Sequence, residues 1–296
     1  MNETYKQNFL RAGAIAKEVR AYGKSLIKPG ASYNDVIAQI YRKISELGAI
    51  PAFPPQIALD HIAAHFLPQP DEDILFSTQV VKLDVGVCVS GAIGDCAVTI
   101  DLSGKYQPLI DAAEAALLAA EQILEVGLPI REIGKAIEMT IISCGFKPVR
   151  NLSGHGLGVY QVHTPPGIPN YDDRSRGVLT PGMTFAIEPF ATDGKGMIYE
   201  AGRPGIFSFA ASRPVHSDFA RSLIPKIKSF QGLPFSIHDL AKDLPLPKVH
   251  AAVDELLDTG VINGYAPFIE EGHGMVAQAE NSVLIDEKGK VFITTR

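Results

Sequence analysis

The amino-acid sequence predicts one large α/β domain made of two similar halves. Its 296 residues suffice for a large core, and 46% of them are hydrophobic while 20% are charged, as is typical of globular proteins. Stretches with the period of helices alternate with stretches with the period of strands. A helical stretch around Val36 also returns around Ile133. The size, the alternating periods and the repeat together indicate the two-half architecture.

Four amphipathic helices are predicted, each with apolar side chains at a spacing of three to four residues. They cover residues 3–27, 36–48, 108–126 and 130–144. The Lys-Pro-Gly sequence at 28–30 ends the first helix, and Gly48 followed by Pro51 ends the second. A proline-rich loop follows over residues 51–70.

The second and fourth helices are predicted to be copies of one unit, because a shift of 97 positions superimposes their residues. The matched pairs are Gly30 with Gly127, Val36 with Ile133, Ile40 with Ile137, Ile44 with Ile141, Gly48 with Gly145, and Pro51 with Pro148. The glycine and proline matches lie outside the helical period, which favours duplication over coincidence. Two similar halves would form a cleft between them, where sites are usually built.

Strands are predicted wherever apolar residues alternate with polar or small ones. They cover residues 81–87, 96–102, 183–188 and 276–285. Ser90 and Gly91 turn the first strand into the second, so Asp84 and Asp95 belong to two arms of one hairpin.

Residues 214–272 differ from the rest and contain two predicted helices, 237–244 and 248–258, followed by Gly260-Val261-Ile262. This order fits a DNA-reading helix-turn-helix with a wing, or a structural helical insert in a larger domain. Eight acidic and five basic residues give the segment a charge of −3. Phosphate would repel it, so the sequence favours the insert and predicts no direct DNA binding.

Composition excludes several further classes of protein. The net charge of −6 argues against a general nucleic-acid binder, and no apolar run is long enough for a membrane helix. The polar start predicts a cytoplasmic protein without a secretory signal. The three cysteines, Cys88, Cys96 and Cys144, are too few and too irregular for a disulfide framework or a zinc ribbon.

Four carboxylates and one imidazole stand where strands or loops can direct them at a common point: Asp84, Asp95, His155, Glu188 and Glu280. Asp84 is on the strand face opposite Leu83 and Val85, and His155 lies between two glycines. Buried carboxylates repel one another and need cations. An oxygen-rich set without cysteine suits two divalent ions that share bridging carboxylates.

The chain resembles type II methionine aminopeptidases of the short archaeal kind. The matching segments are residues 51–54, 62–65, 82–86, 95–99, 151–155, 185–191 and 277–280. The resemblance implies a pita-bread α/β fold, in which two pseudo-symmetric halves surround a central antiparallel sheet. It also implies that residues 1–296 form one catalytic domain, with residues 214–272 as a winged-helix-like insert.

The resemblance further implies the composition of the site. The five residues named above would hold two divalent ions, Co, Mn, Fe or Zn, with Asp95 and Glu280 bridging them. A hydroxide bridging the two metals would attack the scissile carbonyl, and Glu188 would move its proton. His163 would contact the carbonyl oxygen as it becomes an oxyanion, and His65 would lie near the scissile amide. The substrate-binding set is Phe53, His65, Val162, His163 and Tyr265.

The substrate implied is the N-terminal methionine of a nascent polypeptide with a small second residue, cleaved by a monomer that could also dock on the ribosome. Two alternatives stay open. One is an X-Pro aminopeptidase or prolidase, although such relatives carry an extra N-terminal domain for which Asp84 comes too early. The other is a non-catalytic pita-bread protein that binds ribosomes or RNA.

Some positions depart from the pattern of this family. Asn281-Ser282 replaces the usual His-Thr, Ala279 replaces a common Phe, and the loop over residues 156–169 is unusual. We expect these departures to affect substrate affinity and metal preference more than activity.

Overall fold

The computed structural model describes residues 1–296 and contains seven helices and eighteen strands. The helices are α1 (Glu3–Leu26), α2 (Tyr33–Glu46), α3 (Gln107–Gln122), α4 (Ile130–Ser143), α5 (Asp218–Ser229), α6 (Ile237–Ala241) and α7 (Leu246–Asp258). The strands are β1 (Ile50–Pro51), β2 (Gln56–Leu59), β3 (Ile62–Ala64), β4 (Val80–Val89), β5 (Ala92–Asp101), β6 (Lys147–Pro148), β7 (Ser153–Gly158), β8 (Gln161–Pro169), β9 (Thr184–Ile187), β10 (Phe190–Thr192), β11 (Ile198–Glu200), β12 (Ile206–Phe209), β13 (Phe235–Ser236), β14 (Ile262–Tyr265), β15 (Phe268–Glu270), β16 (Val276–Gln278), β17 (Asn281–Ile285) and β18 (Val291–Ile293). No helix combines the length and the apolar character that crossing a membrane requires.

The two predicted halves are present, and each has its own apolar core. Helices α1 and α2 pack on β4 and β5 around a cluster of 19 buried residues, whereas α3 and α4 cover a second cluster of 20. The two halves also repeat the length and the order of these elements. Helices α2 and α4 each have 14 residues, and β6 follows α4 as β1 follows α2. The repeated helix unit predicted from the sequence is therefore confirmed in the structure.

The hairpin of β4 and β5 forms as predicted and joins at Ser90-Gly91, both of which have positive φ. Asp95 pairs with Gly86, and Asp84 pairs with Ala97. The two aspartates are therefore diagonal neighbours on one face of the hairpin, because residues two apart on a strand share a face.

The predicted continuous strand over residues 276–285 is wrong, because β16 ends at Gln278 and β17 begins at Asn281. A matching break separates β9 from β10 at Glu188-Pro189. Strand β16 pairs with β10, whereas β17 pairs with β9, so the ladder is interrupted on both sides at the same level. Proline lacks the N–H that a ladder needs, which accounts for the interruption at Pro189.

Residues 206–265 pack around a separate apolar cluster of 14 residues. Strands β12, β13 and β14 form a small sheet, and α5, α6 and α7 cover it. The sequence reading missed α5, whose interior contains Pro225 even though Ala220, Leu223 and Ile227 form a buried helical stripe. The predicted helix 237–244 ends earlier, at Ala241, because Asp243 adopts positive φ.

An ion pair attaches α1 to the segment between β17 and β18, since Lys6 Nζ lies 2.8 Å from Asp286 Oδ2. This pair, together with the backbone N–H groups of Lys290 and Lys288, lowers the pKa of Asp286 from 3.8 to about 2. A carboxyl with a lowered folded-state pKa stabilises the fold above its unfolded pKa, and this contribution is lost as the pH falls through the folded pKa.

We therefore expect Asp286→Asn to lower the unfolding temperature near neutral pH. The difference in unfolding temperature between the variant and the wild type should shrink as the pH falls from about 4 to about 2, because the wild-type carboxyl becomes protonated over this range. Thermal melts of both proteins across this pH range make the comparison. A difference that stays constant throughout would show that Asp286 does not act through its charge.

Candidate active site

One cavity of about 430 Å³ lies between the two halves and the β12–β14 unit. Its wall contains every site residue proposed from the sequence: Phe53, His65, Asp84, Asp95, His155, Val162, His163, Glu188, Tyr265 and Glu280. The fold brings these residues together, because they come from strands and loops that are separated by as many as 200 positions or more in the sequence. The roles assigned to them remain proposals.

The four carboxylates reach the cavity in two ways. Asp84 and Asp95 project from the shared face of the β4–β5 hairpin. Glu188 and Glu280 sit in the two strand interruptions, where the backbone is freed from the ladder. Strand parity predicts the hairpin pair from the sequence, whereas the strands predicted to contain Glu188 and Glu280 stop beside these two residues.

His155 joins these carboxylates from β7. Its Nε2 lies 3.5 Å from Glu188 Oε1 and 3.9 Å from Asp95 Oδ2. The flanking glycines permit close packing of the backbone: a Cβ on Gly154 would lie 2.3 Å from Ala186 O, and one on Gly156 would lie 2.4 Å from Pro165 O. Both positions therefore require glycine, because the neighbouring backbone leaves no room for a Cβ atom.

The carboxylates share a strongly desolvated environment without a basic partner. Burial raises the pKa of Asp84 to about 7. Burial, followed by repulsion from the neighbouring carboxylates, raises the pKa of Asp95, Glu188 and Glu280 well above their usual range. No lysine or arginine lines the cavity. The group therefore needs a cation that the polypeptide does not supply.

The donor atoms fit divalent cations. Asp95, His155 and Glu280 each offer one ligand atom, and these atoms lie within 4.8 Å of one another. Asp84 Oδ1, Asp95 Oδ1 and Glu280 Oε2 are buried without a hydrogen-bond partner. Unpaired buried carboxylate oxygens are costly, and coordination of a metal would satisfy them. A set of four carboxylates and one imidazole matches the ligand preference of first-row divalent ions.

Two further histidines face the cavity. The ring of His163, on β8, lies 4.2 Å from the ring of His155 between centroids, and burial lowers its pKa. His65 follows β3 with φ of 60°, and its ring lies 4.2 Å from that of Phe268. Burial lowers the pKa of His65 to about 4, so its imidazole is neutral at neutral pH. Its Nδ1 is buried without a partner, unlike that of a satisfied core histidine.

The remaining wall is largely apolar. Phe53 lies against Gly86, where a Cβ would come within 2.2 Å of the phenyl ring, so the glycine makes room for Phe53. Tyr265 reaches the cavity from β14, and its hydroxyl lies 2.8 Å from Ser208 Oγ. The sequence reading missed several lining residues on short, distant segments: Gln56, Ala64, Leu152, Ser153, Phe190, Glu200, Ile206, Pro234 and Phe268.

The residues that depart from the family pattern occupy different parts of the structure. The segment predicted as a loop over residues 156–169 is instead the end of β7 and the whole of β8, which form a hairpin. Ala279 packs into the core under α3 and α4 and does not line the cavity. Asn281 and Ser282 are buried behind the cavity wall.

Comparison with known sequences shows a match to metallopeptidase family M24 over residues 7–224. The methionine aminopeptidase of Methanocaldococcus jannaschii is 39% identical over 292 residues, which span 98% of this chain and 98% of the relative.

Two solved structures show the same fold at low sequence identity. The methionine aminopeptidase of Thermotoga maritima superimposes with a TM-score of 0.72 at 21% identity, covering 100% of this chain and 98% of that one. A thermophilic Arx1 superimposes with a TM-score of 0.86 at 14% identity, covering 99% of this chain and 91% of that one. The predicted pita-bread fold is thereby confirmed.

Proposed function

The chain belongs to metallopeptidase family M24, and within it to the archaeal methionine aminopeptidases, so we infer that it removes the N-terminal methionine from polypeptides in a metal-dependent reaction. The observation that carries this inference is the cavity itself. It combines four carboxylates, of which Asp95 and Glu280 are fully buried, with an imidazole beside them, a largely apolar wall and no lysine or arginine.

We propose that Asp84, Asp95, His155, Glu188 and Glu280 hold two divalent ions, with Asp95 and Glu280 shared between them. The convergence of Asp95, His155 and Glu280 supports this assignment. The ligand set suits Co, Mn, Fe and Zn alike. When bound, such ions supply Lewis acidity to the scissile carbonyl and make water a better acid near neutral pH.

The neighbouring side chains supply proton transfer and hydrogen bonds. Glu188 Oε1 faces His155, and its Oε2 accepts a hydrogen bond from Gln278 Nε2 at 3.4 Å, which orients the carboxyl group. We assign Glu188 to take a proton from the attacking water and return it to the leaving amine. Neutral His163 is assigned to donate a hydrogen bond to the carbonyl oxygen, and His65 to lie near the scissile amide.

Phe53, Val162 and Tyr265 are proposed to bind the methionine side chain. Their apolar surfaces suit a flexible thioether, and Phe53 is held by its close approach to Gly86. The second substrate residue must sit beside the carboxylates and His163 while the methionine carbonyl is attacked. The limited space there favours Gly, Ala, Ser, Thr, Val, Pro and Cys at that position.

The proposed substrate is the free N-terminus of a nascent chain in the cytoplasm. We propose that a monomer suffices, because one chain contributes every residue of the site. Binding to the ribosome is not needed for the chemistry of this site.

Peptide cleavage tests the proposed function against the alternatives. Protein reconstituted with Mn²⁺ or Co²⁺ should release free methionine from Met-Ala-Ser and should leave intact those X-Pro dipeptides in which X is not methionine. Cleavage of the X-Pro dipeptides with no release of methionine would instead support a prolidase. Cleavage of neither substrate by fully loaded protein would support a non-catalytic binding protein.

Substrate choice depends on the apolar wall, so we expect Phe53→Ala to lose the preference for methionine. The wild type should cleave Met-Ala and Met-Val peptides and cleave Met-Lys and Met-Phe poorly. One methylene in such a pocket is worth about 1 to 3 kcal/mol, so slow cleavage of a norleucine peptide is expected. Comparison of kcat/KM across these peptides provides the measurement. Equal values for Met-Ala-Ser and Leu-Lys-Ser would contradict this pocket.

A further inference from the structure

A network of buried polar side chains lies directly behind the cavity wall that carries Glu280. Asn281 Nδ2 donates to Glu121 Oε1 at 2.7 Å. Asn281 Oδ1 accepts from Arg20 Nη1 at 3.0 Å and from Thr295 Oγ1 at 2.8 Å. Asn281 is 6% exposed, Glu121 8% and Thr295 0%, so these groups bond to one another in place of water. Such a network is stabilising only when its members are satisfied.

The network also holds the backbone of Glu280. This residue lies between β16 and β17 and has no partner in the strand ladder. Arg20 Nη1 donates to the carbonyl oxygen of Glu280 at 2.9 Å, so the guanidinium bonds Glu280 and Asn281 together. The arginine therefore supplies a constraint that the interrupted ladder does not.

Ser282 holds Asp95 in a comparable way. Its Oγ accepts from the backbone N–H of Asp95 and donates to the Asp95 carbonyl, both at 2.8 Å. Asn281 and Ser282 thus connect the two carboxylates proposed to be shared between the cations. These two positions are among those where the sequence departs from the family pattern.

The charge of Glu121 is also compensated behind the wall. The second oxygen of Glu121, Oε2, pairs with Arg296 Nη1 at 3.0 Å. Arg20 Nη2 donates to the carbonyl of Thr295 at 2.8 Å. Asn281 connects the glutamate to Arg20, because its planar amide donates to Glu121 through Nδ2 and accepts from Arg20 through Oδ1.

We propose that Asn281, together with Glu121 and Arg20, is a positioning group that fixes Glu280 for the cation pair and so sets the affinity of the site for divalent ions. This inference rests on the proposed function. Glu280 must keep its carboxylate close to Asp95 and His155 despite the repulsion of like charges. If the backbone of Glu280 is already fixed, cation binding loses less conformational entropy, and its affinity is higher.

The test measures cation binding by the full-length protein after removal of metal. Asn281→Leu removes all three side-chain hydrogen bonds of this residue without changing the net charge. The double variant Glu121→Gln with Asn281→Asp keeps the net charge and reverses the donor and acceptor, since the new glutamine amide can donate to the new aspartate. Ile133→Ala, in the neighbouring core under α3 and α4, serves as the control that lowers stability away from this network.

Calorimetric titration with Mn²⁺ and the visible absorption spectrum of the Co²⁺ protein are the readouts. We expect Asn281→Leu to weaken Mn²⁺ binding by about ten- to a hundredfold and to change the Co²⁺ spectrum, as loss of a group that orients a ligand does. The double variant should return to within about threefold of the wild type, because the hydrogen bond is restored. Ile133→Ala should unfold at a lower temperature and bind Mn²⁺ normally.

Several results would overturn the proposal. Wild-type affinity and spectrum in Asn281→Leu would show that the network does not act on Glu280. A double variant as weak as Asn281→Leu would show that the Glu121 hydrogen bond is irrelevant. If Asn281→Leu does not fold, the smaller Asn281→Ala takes its place, since it removes the same three hydrogen bonds; unchanged affinity there overturns the proposal equally. A wild type that binds no Mn²⁺ would instead refute the proposed function.

Discussion

Asp95→Ala and Glu280→Ala are expected to prevent binding of the cation pair and to abolish methionine release. Each variant removes a carboxylate assigned to both cations, and the remaining ligands cannot hold two ions at once. Chelation of the wild type should have the same effect on activity. Metal content after dialysis, measured beside turnover of Met-Ala-Ser, provides the data.

The control for these variants is Asp111→Ala, which removes an exposed carboxylate that bonds only to Gln107. It should retain both cations and normal turnover. Retention of two ions by Asp95→Ala with near-normal activity would contradict the assignment of this residue as a shared ligand.

His163→Ala should lower kcat strongly with little change in KM. The imidazole is assigned to the oxygen that gains negative charge during the reaction, so its hydrogen bond is stronger in the transition state than in the bound substrate. Removing a comparable donor costs roughly 3 to 4 kcal/mol, or about a hundred- to a thousandfold in kcat. Steady-state kinetics with Met-Ala-Ser separate the two constants.

His216→Ala is the matched control, because this histidine is exposed and lies outside the cavity. Its kinetics should equal those of the wild type. A change in His163→Ala that is confined to KM would mean that His163 binds the ground state of the substrate, and the proposed role would be wrong.

Much of the site could be predicted from the sequence because its chemistry conflicts with local packing. Asp84 interrupts an apolar strand, and the glutamates close the apolar segments before Pro189 and Asn281. Residues that violate a packing pattern are visible in one sequence. The repeated helices were visible for a related reason, since the glycine and proline signals at their ends recur at a fixed distance.

Other parts depend on contacts that no local pattern contains. The strand interruptions at Glu188 and Glu280 arise because β9 and β10 pair with different strands on the two sides of the break. Helix α5 was missed because Pro225 ordinarily ends a helix, whereas here the buried face of Leu223 and Ile227 outweighs it. The hydrogen bond from Asn281 to Glu121 joins residues 160 positions apart.

Anomalous diffraction from crystals soaked in Mn²⁺ would show whether the carboxylates of the cavity form a two-cation centre. We expect two anomalous peaks inside the cavity, both within bonding distance of Asp95 and Glu280, with His155 bound to one of them. A cavity without a peak at saturating Mn²⁺, or a single peak that contacts neither Asp95 nor Glu280, would contradict it.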